Sequence, residues 1–430
     1  MIGEVRLRQI ADGMRHRLSF IPTLYVLGAI VLSQFLLWVD RQLTDRSLPD
    51  LLETSVDGAR SVFASIAGGL ITSTTLLLSM MLVAVQLASS QFSPRTLRNW
   101  LGNRTVQNAV GFVLGTTVYC LLALRSTRSF GEDDIAVIPH LTVLGAVALG
   151  VLSLVAVVRT VDHITHSLQV GSVAERIANE TIGIVHRNFG AEPDQLDVAP
   201  DSGALRPDGT IDVPIGSAAL EAPSSGWVQQ VDDDRVLASL PEHSTGYLTA
   251  TVGSFVTQDS PLMWIAPPPR ETDSYRSSLL GAIAVGDNRT MQQDVEFGVI
   301  QLTDIAVRAL SPGVNDPTTA SDVVVQLGTV MTALWQHPAL STTQRSGSRT
   351  LVRHRPTHAD LLDRAFSPII HYGDADRQVR ETLLSVLQLL RSEIDRRELA
   401  GPTGPLDAML DSLRRAGAED RSFSRRGGDR

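Results

Sequence analysis

One stretch limits this chain more than any other: Ala64 to Ala88, which carries no charge. About 20 apolar residues in a helix suffice to cross the hydrocarbon core of a bilayer, so this segment is expected to span a membrane. It is not uniformly apolar. Ser65, Gly68, Thr72, Thr75, Ser79 and Gln86 recur in steps of three and four, with Leu82 in the gap, and so share one helix face. Hydrocarbon offers a hydroxyl no partner. The face is therefore expected to look toward neighbouring helices or water, either packing a bundle or lining a pore.

Three more apolar runs accompany it: Phe20 to Val39, Val106 to Leu124 and Ile135 to Val158. The first follows Arg6, Arg8, Arg15 and Arg17, but is too long for a signal-peptide core and reads as an uncleaved span. The third contains Gly111 and Gly115, a GxxxG pair that lets helices approach closely. Residues 40–60 are mostly acidic, whereas the next loop holds Arg95, Arg98 and Arg104 and no acid. The positive-inside rule then places both termini in the cytoplasm, around a four-span domain at 20–160 in the cell (inner) membrane.

Several chemistries are excluded or disfavoured. The net charge of −9 argues against nucleic acid as a partner. Cys120 is the sole cysteine and lies in an apolar run, so there is no internal disulfide or CxxC redox pair. The chain has no lysine, which removes a Walker-type loop, a Schiff-base enzyme and a carrier lysine together. No run has an acid in its middle, which disfavours an ion-coupled carrier. Asp162, His163 and His166 lie at helical spacing after the fourth span, but no fourth ligand is visible. No metal, cofactor or catalytic cluster is expected, and the chain is not read as an enzyme.

The expected organisation continues with a juxtamembrane helix at 161–189, a Pro/Gly/Asp-rich linker at 190–215 and a small β module at 216–270. An α-helical cytoplasmic domain at 271–400 and a disordered Arg-rich tail at 401–430 follow. The fold class is thus a four-helix membrane domain joined to a cytoplasmic α+β part. In the β module, APSSGWV and GSFVTQDSPLMWI resemble the lipoyl/biotinyl-like barrel-sandwich fold, without the lysine that carrier members modify.

Residues 286–320, GDNRTMQQDVEFGVIQLTDIAVRALSPGVNDPTTA, together with AGGLIT, VQLASSQFSPRTLRNWL and GTTVYCLLALR, resemble the DUF2254 family of predicted bacterial membrane proteins. That resemblance implies the membrane half and the soluble half, and supplies no mechanism.

Read physically, residues 289–310 are expected to form one helix with an apolar stripe of Val295, Val299, Leu302, Ile305 and Ala306. Ser311, Pro312 and Gly313 end it, and Asn315 or Asp316 caps the next helix ahead of Pro317. Each of these residues then has a structural role. A functional alternative has Arg289, Asp294, Arg308, Asn315 and Asp316 converging near a helix N-terminus as an anion site.

Two functions follow. One is an oligomeric channel or passive transporter, lined by the striped helix and carrying a cytoplasmic regulatory domain. Its partners are membrane lipid and further copies of the chain. The alternative is a membrane-anchored sensor that recognises a small anionic ligand: a nucleotide, a phosphate or a lipid headgroup.

Overall fold

A computed structural model of the chain describes residues 20–43, 55–91, 104–127, 140–167, 170–189, 197–198, 206, 210–269, 273–373 and 375–427. The chain divides into two compact units, residues 3–169 and 170–430.

The N-terminal unit contains α1 (Phe20–Leu43), α2 (Val56–Gln91), α3 (Arg104–Ser126) and α4 (His140–Ser167). All four are long and apolar enough to cross a membrane. The start expected for the fourth span, residues 135–139, lies outside the described residues. So do the basic N-terminus and most of the loop residues that set the expected orientation.

The helix at the centre is α3, which packs against the other three. Its small side chains permit this. A Cβ on Gly111 would stand 2.7 Å from the Tyr25 ring and 2.9 Å from the Pro22 backbone. A Cβ on Gly115 would stand 3.0 Å from the Tyr25 carbonyl oxygen. The GxxxG pair is therefore the seat of α1. Two polar ties add to it: Ser153 donates to Thr116 at 3.1 Å, and the Tyr119 hydroxyl donates to the Thr142 carbonyl at 2.8 Å. Asp40, near the end of α1 and buried, caps α4. It accepts from the backbone N–H of Leu141 and of Thr142 at 3.0 Å each, and from the Thr142 hydroxyl at 2.6 Å.

α2 turns the opposite face to its neighbours from the one expected. Phe63, Ala67, Leu70, Thr74, Leu77, Met81 and Ala84 are buried. Ser65, Gly68, Thr72, Thr75, Ser79 and Gln86 are all exposed. The two rows share one period and are offset by one or two residues, roughly 150° apart at about 100° per residue. Within one chain, the striped face does not pack the bundle. The reason lies in the helix itself: Thr72 and Thr75 donate to the carbonyls of Gly68 and Ile71, both at 3.1 Å, and Ser73 donates to that of Gly69 at 2.9 Å. A hydroxyl satisfied four residues back needs no partner outside its helix.

The C-terminal unit is mixed. Its strands are β1 (Asp197–Val198), β2 (Ala218–Glu221), β3 (Gly226–Val231), β4 (Thr245–Leu248), β5 (Phe255–Val256), β6 (Pro261–Ala266), β7 (Ile283–Gly286), β8 (Thr343–Ser346) and β9 (Arg349–Arg353). Its helices are α5 (Val170–Phe189), α6 (Asp233–Ser239), α7 (Asp273–Leu280), α8 (Val295–Ala309), α9 (Pro317–Trp335), α10 (His358–Gly373), α11 (Arg377–Arg397) and α12 (Thr403–Gly427).

The strands form two open sheets, ordered β1-β8-β9-β4-β6-β2 and β5-β3-β7. Pairing is antiparallel except between β4 and β9. No closed barrel forms among the described residues. The strands expected as a self-contained module are instead completed from outside it, by β7, β8, β9 and β1. Leu220, Val228, Leu237, Leu240, Leu248, Met263, Ile283 and Leu351 share one buried core, so the β part is built from segments far apart in sequence.

The helical part is centred on α9, which packs against α5, α8, α10 and α11. α5 occupies the segment that the sequence reads as juxtamembrane. It belongs to this core through Val173, Ala174, Ile177, Ala178, Ile184 and Val185. The tail expected to be disordered is largely α12, which buries Leu406, Leu410 and Leu413. Those leucines recur at helical spacing, an amphipathic pattern that the arginine-rich composition around them obscures.

Gly111→Ala forces a methyl group into backbone and is expected to destabilise the N-terminal unit by about 1–3 kcal/mol. Gly68→Ala, with nothing within 4 Å of the added Cβ, should leave stability unchanged. Thermal unfolding of both variants in detergent checks the pair; equal midpoints would mean that α1 does not seat on α3 in this way.

Candidate functional site

The segment expected as one helix from 289 begins later, at Val295, because Asp294 is its N-cap. The Asp294 carboxylate accepts from the Phe297 backbone N–H at 2.9 Å. It also accepts from Arg289, through Nε at 2.6 Å and a terminal nitrogen at 3.1 Å. The same guanidinium reaches Glu296 at 2.8 Å and lies 5.1 Å from the centre of the Phe297 ring. Glu296 is paired in turn with Arg364 of α10. Burial opposes the charge on Arg289, but the two carboxylates outweigh it and hold its pKa above the ordinary value. Burial likewise pushes the Asp294 carboxyl up, against the pull of Arg289 and the Phe297 amide.

This network also fixes the turn before β5. Gly253 has φ +86°; a Cβ there would stand 2.7 Å from an Arg289 nitrogen and would overlap the Asp294 carboxylate. Gln293, beside it, completes the edge of β3. It accepts from the Val231 N–H at 2.9 Å and donates to the Val231 carbonyl at 3.1 Å. Its own carbonyl accepts from Asn188 at the end of α5 at 3.1 Å. Sequence reasoning missed Gln293; a polar residue between two structured segments carries no periodic signal.

Arg308, Asn315 and Asp316 lie at the other end of α8. Arg308 is in its last turn, about 20 Å of helix from Asp294. Asp316 is the N-cap of α9, accepting from the Thr319 N–H at 3.1 Å and the Thr319 hydroxyl at 2.6 Å. Those two bonds hold its pKa below the usual aspartate value. Asn315 is exposed and left-handed at φ +48°. The five residues proposed as an anion site therefore do not converge. Two belong to an ion-pair network at one end of α8, two to the turn and cap that start α9, and Arg308 stands in the last turn between them.

The remaining histidines and acids form no metal site: among the described residues, no group of three or more His, Cys, Asp or Glu can hold an ion. His371 stacks edge-on against Tyr372 at 4.8 Å, remote from Arg289 in the chain. His358 is buried, with Nδ1 2.7 Å from the Ala400 carbonyl, and burial lowers its pKa. One further cluster went unseen in the sequence: Arg353, the last residue of β9, and Arg355 just beyond it both pair with Asp233 at the start of α6. These partners are more than a hundred residues apart, and no local spacing links them.

A family model described as "Predicted membrane protein (DUF2254)" matches residues 15–389, which takes in all four spans and both sheets. The chain belongs to the DUF2254 family. Similar chains include uncharacterized proteins of Mycobacterium bovis and Mycobacterium tuberculosis, each 31% identical over 336 residues. The match covers 76% of this chain and 63% of each relative, so the chain spans less than two thirds of their length. No solved structure matches it. Family membership thus establishes a membrane protein and leaves its activity open.

Two substitutions test the Arg289–Asp294 network and the cap of α9 as structure. Gly253→Ala should cost about 2 kcal/mol or more, since left-handed strain and overlap with an ion pair act together. Asp316→Ala should cost about 1 kcal/mol near neutral pH, the usual value of an N-cap. Because folding depresses the Asp316 pKa, its contribution is complete above the ordinary aspartate pKa and fades as pH falls through the lower folded value. The stability gap between wild type and Asp316→Ala, followed by thermal unfolding from pH 7 down to pH 3, should therefore narrow only in acid. A gap that does not change with pH would remove the capping carboxylate from the account.

Proposed function

We propose that this DUF2254 protein is a passive membrane conductor assembled from several copies, with the polar face of α2 from each copy turned toward a shared axis and the C-terminal unit acting as its regulatory part. One observation carries the reading: the row Ser65, Gly68, Thr72, Thr75, Ser79 and Gln86 lies on the outside of its own four-helix unit. The unit has an apolar core of Phe63, Tyr119 and Ala146 around Cys120, and the polar row shares the outside of α2 with Ile71, Leu76 and Leu82. Small residues with open space beside them, such as Gly68 and Gly69, allow a second helix to approach closely. A closed ring of identical subunits is the ordinary way for such a face to bury itself. The spans hold no acid in their middles, which fits a passive route better than a coupled one.

Cysteine cross-linking in the native membrane tests the assembly. Cys120 is buried and is the only cysteine, so Cys120→Ala supplies a clean background. Ser65→Cys, Thr72→Cys and Ser79→Cys should then give covalent dimers on oxidation. Val31→Cys on α1 and Leu154→Cys on α4, both also exposed, should not. Liposomes holding the wild type should pass small solutes or ions, and Thr72→Leu with Ser79→Leu should reduce that flux severalfold. Equal cross-linking at all five positions, or liposomes that stay tight across pH and voltage, would remove the proposal.

A further inference from the structure

We propose that Arg353 and Arg355 form a recognition site for a phosphate-bearing ligand in the C-terminal unit, separate from the network around Asp294 and independent of any membrane pathway. Alternation along β9 puts Arg349, Leu351 and Arg353 on one side of the sheet. Leu351 shares a buried cluster there with Val236 and Leu237 of α6 and with Leu240, its C-cap. Arg353 consequently rises beside the first turn of α6 and meets one oxygen of Asp233, while Arg355 meets the other. Each arginine side chain is 12% exposed and the aspartate 17%.

The charge of this triad does not close. One carboxylate faces two guanidiniums, and among the described residues no second acid pairs with either, so one positive charge is left over in a mostly buried place. The flanking acids do not offset it. Asp232 is the N-cap of α6 and accepts from the Arg235 N–H at 3.0 Å, and Asp234 is exposed. The Nε of Arg355 is buried and has no hydrogen-bond partner. Burial, and then the neighbouring Arg353, bring the Arg355 pKa down to about 10.

A clamp between β9 and α6 would need one arginine. A second like charge adds a desolvation cost that its share of one carboxylate offsets only in part. It gains a purpose when an anion arrives. Paired guanidiniums present planar forks of N–H donors, and a phosphoryl group carries the oxygens and the near-double charge to fill them. Asp233 holds the two forks side by side. The site reaches the surface at Pro356 and Thr357, which are exposed.

The full-length protein in detergent tests the site with inorganic phosphate and pyrophosphate against chloride at matched ionic strength, read by thermal shift and calorimetry. Nanodiscs of phosphatidylcholine, with or without phosphatidic acid, form the lipid arm. A saturable rise in unfolding temperature is expected with pyrophosphate or with phosphatidic acid. A response in solution identifies a soluble phosphoester and a response confined to nanodiscs identifies a headgroup, and either supports the site. Arg353→Gln and Arg355→Gln should each weaken binding about tenfold or more, the value of a charge-assisted bond. Without anion, Arg355→Gln should be no less stable than wild type, because it removes the uncompensated charge. No saturable response in either arm, or a response that both variants retain, overturns the proposal. If a variant does not fold, the wild-type comparison of phosphate with chloride decides.

Discussion

A hydroxyl in hydrocarbon must donate to something, and a helix can supply the acceptor from its own backbone. Thr72, Ser73, Thr74 and Thr75 each bond the carbonyl four residues back. This one interaction frees α2 from hiding its hydroxyls against its neighbours. The helix can then bury the row from Phe63 to Ala84 and leave small and polar groups outside. The same bond appears in α3, where Thr116 and Thr117 donate to Phe112 and Val113. There the residues are buried as well, and Thr116 gains Ser153 as a second partner. Back-bonding thus makes a membrane hydroxyl compatible with either environment, and packing chooses between them.

Packing is decided by α3. Its glycines bring α1 to backbone contact, and its buried tyrosine reaches the first turn of α4. In the C-terminal unit the equivalent role falls to charge. Arg289, Asp294, Glu296 and Arg364 form a continuous chain of ion pairs from the loop before α8 to α10, with Gly253 pressed against it. Asp294 is at once a helix cap and an ion-pair partner. Side chains of this kind explain how a long polar signature can be occupied by structural roles.

Much of this was legible in the residues. Uncharged runs marked all four spans. The apolar stripe from Val295 to Ala306 and the Ser-Pro-Gly turn placed α8, its end and the cap of α9. What failed did so for physical reasons. The two rows of α2 have the same period, so periodicity could not say which one meets the bundle. The Arg-rich end disguised Leu406, Leu410 and Leu413. Strands β7, β8 and β9 join sheets begun more than a hundred residues earlier in some cases, and no local pattern encodes that pairing. The Asp233 triad was invisible for the same reason.

Asp40 carries a consequence for how the membrane unit is assembled. Its carboxylate, near the end of the first helix, accepts three hydrogen bonds from the opening turn of the fourth, a hundred residues on. Until that turn has been made, those three bonds are missing, and α1 has its contacts with α3 to hold it. The last span therefore closes a joint with the first, and a nascent chain stalled after α3 would leave the Asp40 carboxyl without those bonds.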